Sequence, residues 1–107
     1  MAENLKGIGA APGEAEGEVM VIMNGEGMDS FPEGNVLVAD KVDPTMASLF
    51  KRAAAVVTDS GGKTSHAAIF AREHGIPAVV GVNSATSDLQ NGTKVKVNGD
   101  TGDIVVL

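Results

Sequence analysis

His66 and the hydroxyls beside it are the side chains best suited to chemistry in this chain. They lie in the run Gly61-Gly62-Lys63-Thr64-Ser65-His66-Ala67-Ala68. A neutral imidazole nitrogen carries a lone pair that can attack phosphorus, and a covalent intermediate of that kind divides one transfer into two. The flanking residues predict how His66 is held. Ala54 to Val57 form an apolar run that fits a buried strand. Gly61 and Gly62 then allow a tight turn with positive φ or a close backbone approach. Thr64 or Ser65 can cap a helix beginning near His66, Gly75 can end it and Pro77 stops it from resuming. Ala78 to Val80 start another strand. His66 is thus expected in the first helical turn, where unpaired N–H groups and the positive dipole end collect. Such a place suits an anion, including a phosphoryl group. The other reading is a histidine that packs or caps on a short loop, and the residues alone leave both open.

A wider pattern separates them. Thr58, Gly61-Gly62, Thr64-Ser65-His66-Ala67-Ala68, Ala71-Arg72, Gly75-Ile76-Pro77-Ala78 and Gly81 resemble the phosphohistidine signature of the swivelling domain in enzymes that use phosphoenolpyruvate. That family includes pyruvate phosphate dikinase, phosphoenolpyruvate synthase and, more distantly, enzyme I of the sugar phosphotransferase system. Gly9-Ala10-Ala11-Pro12-Gly13, Ala15 and Gly17 resemble its opening turn, and Val36 to Ala39, Pro44 and Arg52 to Val57 its middle.

The resemblance implies a single compact α+β domain over residues 1–107. It would be a swivelling β/β/α fold with a Gly-rich turn leading into the active-site helix. It implies that His66 is the catalytic residue, accepting a phosphoryl group at Nε2 and donating it onward. Gly61, Gly62, Lys63, Thr64 and Ser65 would shape the phosphoryl pocket, and Thr64 is a candidate regulatory phosphorylation site. Lys63 stands where relatives often carry Arg or Met. The implied partners are an ATP-grasp nucleotide-binding domain or subunit and a phosphoenolpyruvate/pyruvate-binding domain or subunit. Mg2+, ATP and phosphoenolpyruvate belong to those partners, and no cofactor is expected in this chain. The chain would be a catalytic component of a phosphotransferase and not a complete enzyme. The rival is a non-catalytic interaction or regulatory module that kept the fold, with the glycines and His66 in structural roles.

Composition narrows the classes independently. The 107 residues suffice for one modest domain, and a 43% hydrophobic content allows a core. Phe31, Phe50 and Phe70 are the only aromatic rings of the Phe, Tyr and Trp class, so aliphatic residues must build that core. Eight Lys and Arg against 14 Asp and Glu give a formal net charge of -6, which argues against a nucleic-acid backbone as ligand. The lack of cysteine excludes disulfides, thiolate metal sites and cysteine nucleophiles. No run approaches a membrane span and no signal-like stretch opens the chain, so a cytoplasmic protein is expected.

In chain order, residues 1 to 6 read as a lead-in and Gly7 to Gly17 as a loop near the histidine, edged by Glu14, Glu16 and Glu18. Val19 to Met23 read as a strand, Asn24 to Gly34 as loop and Asn35 to Ala39 as a strand. Asp43-Pro44 starts a helix whose apolar stripe is Met46, Leu49, Phe50 and Ala53. Ala85 to Leu89 form a further turn or short helix, and Asn91-Gly92 a turn. Thr93 to Val97 alternate as a strand, with Lys94 and Lys96 on a solvated face or guiding a phosphorylated ligand. Asp103 to Leu107 form the last strand.

Other chemistry lacks its parts. Gly62-Lys63-Thr64 ends like a P-loop, but Val57 stands where that motif needs its first glycine. Gly25-Glu26-Gly27 lacks a dinucleotide fingerprint's spacing. His66 and His74 have no carboxylate at a familiar metal-ligand spacing. Ser60 and Ser65 sit in no G-x-S-x-G elbow.

Overall fold

The computed structural model describes residues 4–23 and 26–107. Its strands are β1 (Leu5–Lys6), β2 (Ile8–Ala11), β3 (Glu14–Val21), β4 (Val36–Ala39), β5 (Ala55–Thr58), β6 (Ala78–Val80), β7 (Lys94–Asn98) and β8 (Asp103–Val106). The α-helices are α1 (His66–His74) and α2 (Ala85–Asp88), and 3-10 helices cover Met28–Ser30 and Pro44–Lys51. This is an α+β domain with a mixed sheet.

The strands run in the order β1-β8-β7-β3-β4-β5-β6-β2. The long β3 joins two halves. Its Glu14–Glu18 portion pairs antiparallel with β7, and its Val19–Val21 portion pairs parallel with β4. The two ends of that order, β1 and β2, are separated in the chain by Gly7 alone, so the sheet folds back on itself. The halves approach closely where it does. A Cβ on Gly99 would lie 1.7 Å from the Ala11 carbonyl oxygen, which only glycine avoids.

Strands β4, β5 and β6 are parallel and fully buried, as expected for apolar runs covered on both faces. Alternation sends their side chains to two cores. Val36, Val38, Ala55, Val57 and Val79 meet Val95, Val97 and Ile104 from the other half of the sheet. Leu37, Ala39, Val56, Ala78 and Val80 meet Met46, Leu49, Phe50, Ala67, Ala68 and Ala71 from the helical side. Each fully buried valine of these layers stabilises the fold by roughly 1.5–3 kcal/mol relative to exposure. The alanines of α1 let that helix lie close to the sheet.

Several sequence expectations need correction. Gly7 to Gly17 is not a loop: β2 and the first half of β3 occupy it, with a turn at Pro12-Gly13. The Glu14, Glu16 and Glu18 side chains point outward while Ala15, Gly17 and Val19 point inward, a strand alternation disguised by small inward residues. Gly17 is small because a Cβ there would meet the Gly34 carbonyl oxygen at 2.4 Å. In the expected lead-in, Leu5 and Lys6 pair with Ile104 and Asp103, while residues 1–3 lie outside the described residues. The loop expected over Asn24 to Gly34 holds a 3-10 turn at Met28–Ser30, and its Asn24 and Gly25 are likewise not described.

The helix opened by Asp43 is a 3-10 helix with Met46, Leu49 and Phe50 buried, and Ala53 is buried just beyond it. Spacings of three and four residues serve either helix type. Lys94 and Lys96 lie directly across from Glu18 and Glu16. Among the described residues no helix is long and apolar enough to cross a membrane.

Candidate functional site

The carboxyl ends of β4 and β5 carry the chain toward His66. Thr58 is fully buried and its hydroxyl donates to the Ser60 carbonyl at 2.8 Å. Ser60 in turn bonds Asp40 twice, through its backbone N–H at 2.9 Å and its hydroxyl at 2.8 Å, both to the Asp40 carbonyl. These bonds brace the strand ends from which the turn departs.

Gly61 takes φ +107, and a Cβ there would come within 3.1 Å of the Ser65 Cβ. The turn thus depends on glycine at position 61. Gly62 differs from expectation. It has no positive φ, and a Cβ on it would meet nothing within 4 Å. The space above Gly62 is open.

Ser65 caps α1. Its Oγ accepts from the Ala68 N–H at 3.4 Å and donates to the Gly62 carbonyl at 2.7 Å. The Ser65 proton is therefore engaged, whereas the exposed Thr64 hydroxyl makes no hydrogen bond among the described residues. Lys63 is also exposed. The N–H groups of Gly62, Lys63 and Thr64 donate to no acceptor among the described residues.

His66 is the first residue of α1 and is exposed. Its ring stacks on Phe70, one turn later, with centroids 5.6 Å apart and planes inclined by 21°. Phe70 meets Phe50 edge-on at 5.5 Å. His74 lies at the other end of α1, where its Nδ1 donates to the Phe70 carbonyl at 2.9 Å. Gly75 closes the helix in the left-handed conformation.

Two contributors to the site were missing from the sequence-level candidates. Arg72 donates from Nη1 to the Ala10 carbonyl at 2.7 Å and from Nη2 to the Lys63 carbonyl at 2.9 Å. It ties β2 to the turn that precedes His66. Asp43, the N-cap of the Pro44–Lys51 helix, accepts from the Thr45 hydroxyl and N–H. Those bonds hold its carboxyl below the ordinary value of 3.8, with smaller pulls from the charges of His66 and Lys41. The N-cap pattern Asp-Pro-Thr was legible, but its nearness to His66 was not.

Among the described residues no group of three or more His, Asp or Glu is placed to hold a metal ion. A shallow groove of about 320 Å³ lies beside α1, lined by Pro12, Ala71, Arg72, Gly75 and Ile76. It includes neither His66 nor the Gly61–Ser65 turn.

The site therefore combines an exposed imidazole, a capped helix start and a turn whose N–H donors have no acceptor among the described residues. Comparison with known proteins gives this arrangement a family. Residues 31–102 match the PEP-utilising enzyme, mobile domain. The phosphoenolpyruvate synthase of Pyrococcus furiosus is 51% identical over 98 residues, covering 92% of this chain and 12% of the relative. The chain thus spans about an eighth of such relatives. A solution structure of an Enzyme I protein superposes with a TM-score of 0.65 at 36% identity, over 74% of this chain and 33% of that one. Thermococcus kodakaraensis aconitase X shares the fold, with a TM-score of 0.71 at 23% identity over 99% of both chains. The match over residues 31–102 and the identity to phosphoenolpyruvate synthases show that the chain belongs to the family of PEP-utilising enzyme mobile domains.

Proposed function

We propose that this chain is a phosphoryl carrier in which His66 accepts a phosphoryl group and passes it on. One observation carries the reading: the family's signature histidine stands exposed as the first residue of a capped helix. In the accepting step a ring-nitrogen lone pair of His66, at Nε2, forms the new N–P bond as the donor's bond to phosphorus breaks. The donor's leaving group departs with its electron pair, and the ring N–H proton passes to water. The reverse displacement delivers the group to the acceptor.

The pocket would be Gly61, Gly62, Lys63, Thr64 and Ser65. The unpaired N–H groups of Gly62, Lys63 and Thr64 can donate to phosphoryl oxygens, and the positive end of α1 favours their charge. The open space over Gly62 leaves room for them. Ser65 contributes by fixing the turn, since its proton is engaged. Thr64 offers an exposed hydroxyl, and a phosphate there would block the pocket by charge and bulk.

Residues 1–107 would act as one mobile β/β/α unit, swinging between partner sites. By family analogy the donor site is an ATP-grasp nucleotide-binding domain or subunit, and the second site binds phosphoenolpyruvate or pyruvate. By the same analogy Mg2+ belongs to the partner sites. The chain is then one component of a phosphotransferase.

The test is phosphate labelling in the presence of such partners. The wild-type chain should acquire an acid-labile, base-stable phosphate that His66→Asn abolishes. Label persisting in His66→Asn refutes the assignment. A chain never labelled, yet stably bound to a partner through its opposite face, is instead an interaction module.

A further inference from the structure

We infer that Phe70 is a positioning residue that holds the His66 imidazole and so fixes which ring nitrogen is offered to phosphorus. This rests on the carrier reading and adds a residue that the glycine turn and the helix cap do not supply. His66 and Phe70 stand four apart on α1, the spacing at which helix side chains meet. Their rings lie 5.6 Å apart at 21°, an offset stack.

Phe70 is half-buried and is itself constrained. Phe50, 1% exposed, presses on it edge-on at 5.5 Å with planes at 81°. Phe50 belongs to the 3-10 helix Pro44–Lys51 and is seated in the core between that helix and the sheet. A rigid path therefore runs from the core through Phe50 and Phe70 to an otherwise exposed imidazole.

Stacking restrains a ring by its face and leaves its edge uncovered. The nitrogens of imidazole lie in that edge. An exposed histidine without such a neighbour samples several rotamers and turns either nitrogen outward. A carrier serving two sites gains from presenting one lone pair in one direction, because misplacement of a reacting atom is costly. A leucine at position 70 would preserve apolar volume and remove the flat face. A tyrosine would keep that face.

The experiment uses the wild-type chain, Phe70→Leu and Phe70→Tyr, with potassium phosphoramidate as a partner-independent donor. In this reaction the P–N bond of phosphoramidate breaks and a ring nitrogen forms its own N–P bond. The ring proton leaves with the departing ammonia. Phosphorus NMR resolves the Nδ1- and Nε2-phosphohistidine isomers, and proton–nitrogen spectra report the His66 ring.

The wild-type chain should show upfield ring-current shifts at His66 and a single isomer. Phe70→Leu should lose the shifts and form the second isomer as well, while Phe70→Tyr restores both features. A merely structural role would lower the melting temperature without altering the isomer ratio. Labelled Phe70→Leu with the wild-type isomer ratio overturns the positioning role and leaves the carrier reading intact. A wild-type chain whose His66 takes no label overturns the carrier reading, and with it any part for Phe70 in phosphoryl transfer.

Discussion

Arg72 reaches from α1 to the carbonyl of Ala10 at 2.7 Å, bridging 62 positions of sequence. Its second nitrogen holds the carbonyl of Lys63 at 2.9 Å. One guanidinium thus fixes the turn before His66 against strand β2. Arg72→Ala should lower unfolding free energy by about 1 kcal/mol, less than the roughly 1.5–3 kcal/mol of buried charge-assisted bonds because the side chain is exposed. Arg72→Lys should recover part of it, since an ammonium cannot span both acceptors in the same fork. Urea denaturation of the three proteins checks this, and equal midpoints would contradict it.

The paired glycines should behave differently. Gly61→Ala places a Cβ at φ +107 and 3.1 Å from the Ser65 Cβ, and should cost about 1–2 kcal/mol. Gly62→Ala meets open space and should change stability by less than about 0.5 kcal/mol. Thermal unfolding measures both. If Gly62→Ala also lowers phosphate uptake at His66 while leaving stability intact, the space it fills is the one a phosphoryl group needs.

Ser65 joins both ends of its turn through one hydroxyl. Ser65→Ala removes the acceptor for the Ala68 N–H and the donor to the Gly62 carbonyl. The expected loss is about 1 kcal/mol, as for other helix N-caps. Ser65→Asp can accept from Ala68 but cannot donate when ionised, so it should restore only part of that loss. Amide hydrogen exchange over Ala67 to Ile69 would show the fraying directly.

Asp43 gives a pH prediction. Its hydrogen bonds from Thr45 hold its folded-state titration below the ordinary 3.8. A carboxyl lowered by folding stabilises the native state above its unfolded value. That contribution is lost as pH falls from about 3.8 through the lower folded value. Carbon-detected NMR of the Asp43 carboxyl should show the low midpoint, and Thr45→Val should raise it.

The helix bearing His66 was legible because its signals are local. Ser65, Gly75 and Pro77 mark its ends within a dozen residues, and the structure uses Ser65 and Gly75 as the caps. The valine-rich strands were legible for the same reason. The first half of strand β3 was not, because Ala15 and Gly17 occupy inward positions where larger apolar residues usually announce a strand. Their smallness comes from a distant segment: the Gly34 carbonyl crosses over Gly17. The Phe70 stack was within reach of the sequence, being a simple four-residue spacing, but only the fold brings Phe50 behind it. The Arg72 bridge and the nearness of Asp43 to His66 depend on elements far apart in the chain, which no local pattern encodes.

The pairing of β1 with β8 has a mechanical consequence. Leu5 lies opposite Ile104, and the Asn4 side chain accepts from the Val106 N–H at 3.2 Å. Any flanking segments attached at these strands leave side by side, from one edge of the domain. Two tethers rooted at a single point resist rotation far less than tethers on opposite sides. A body tethered there would be held along the one edge where β1 pairs with β8.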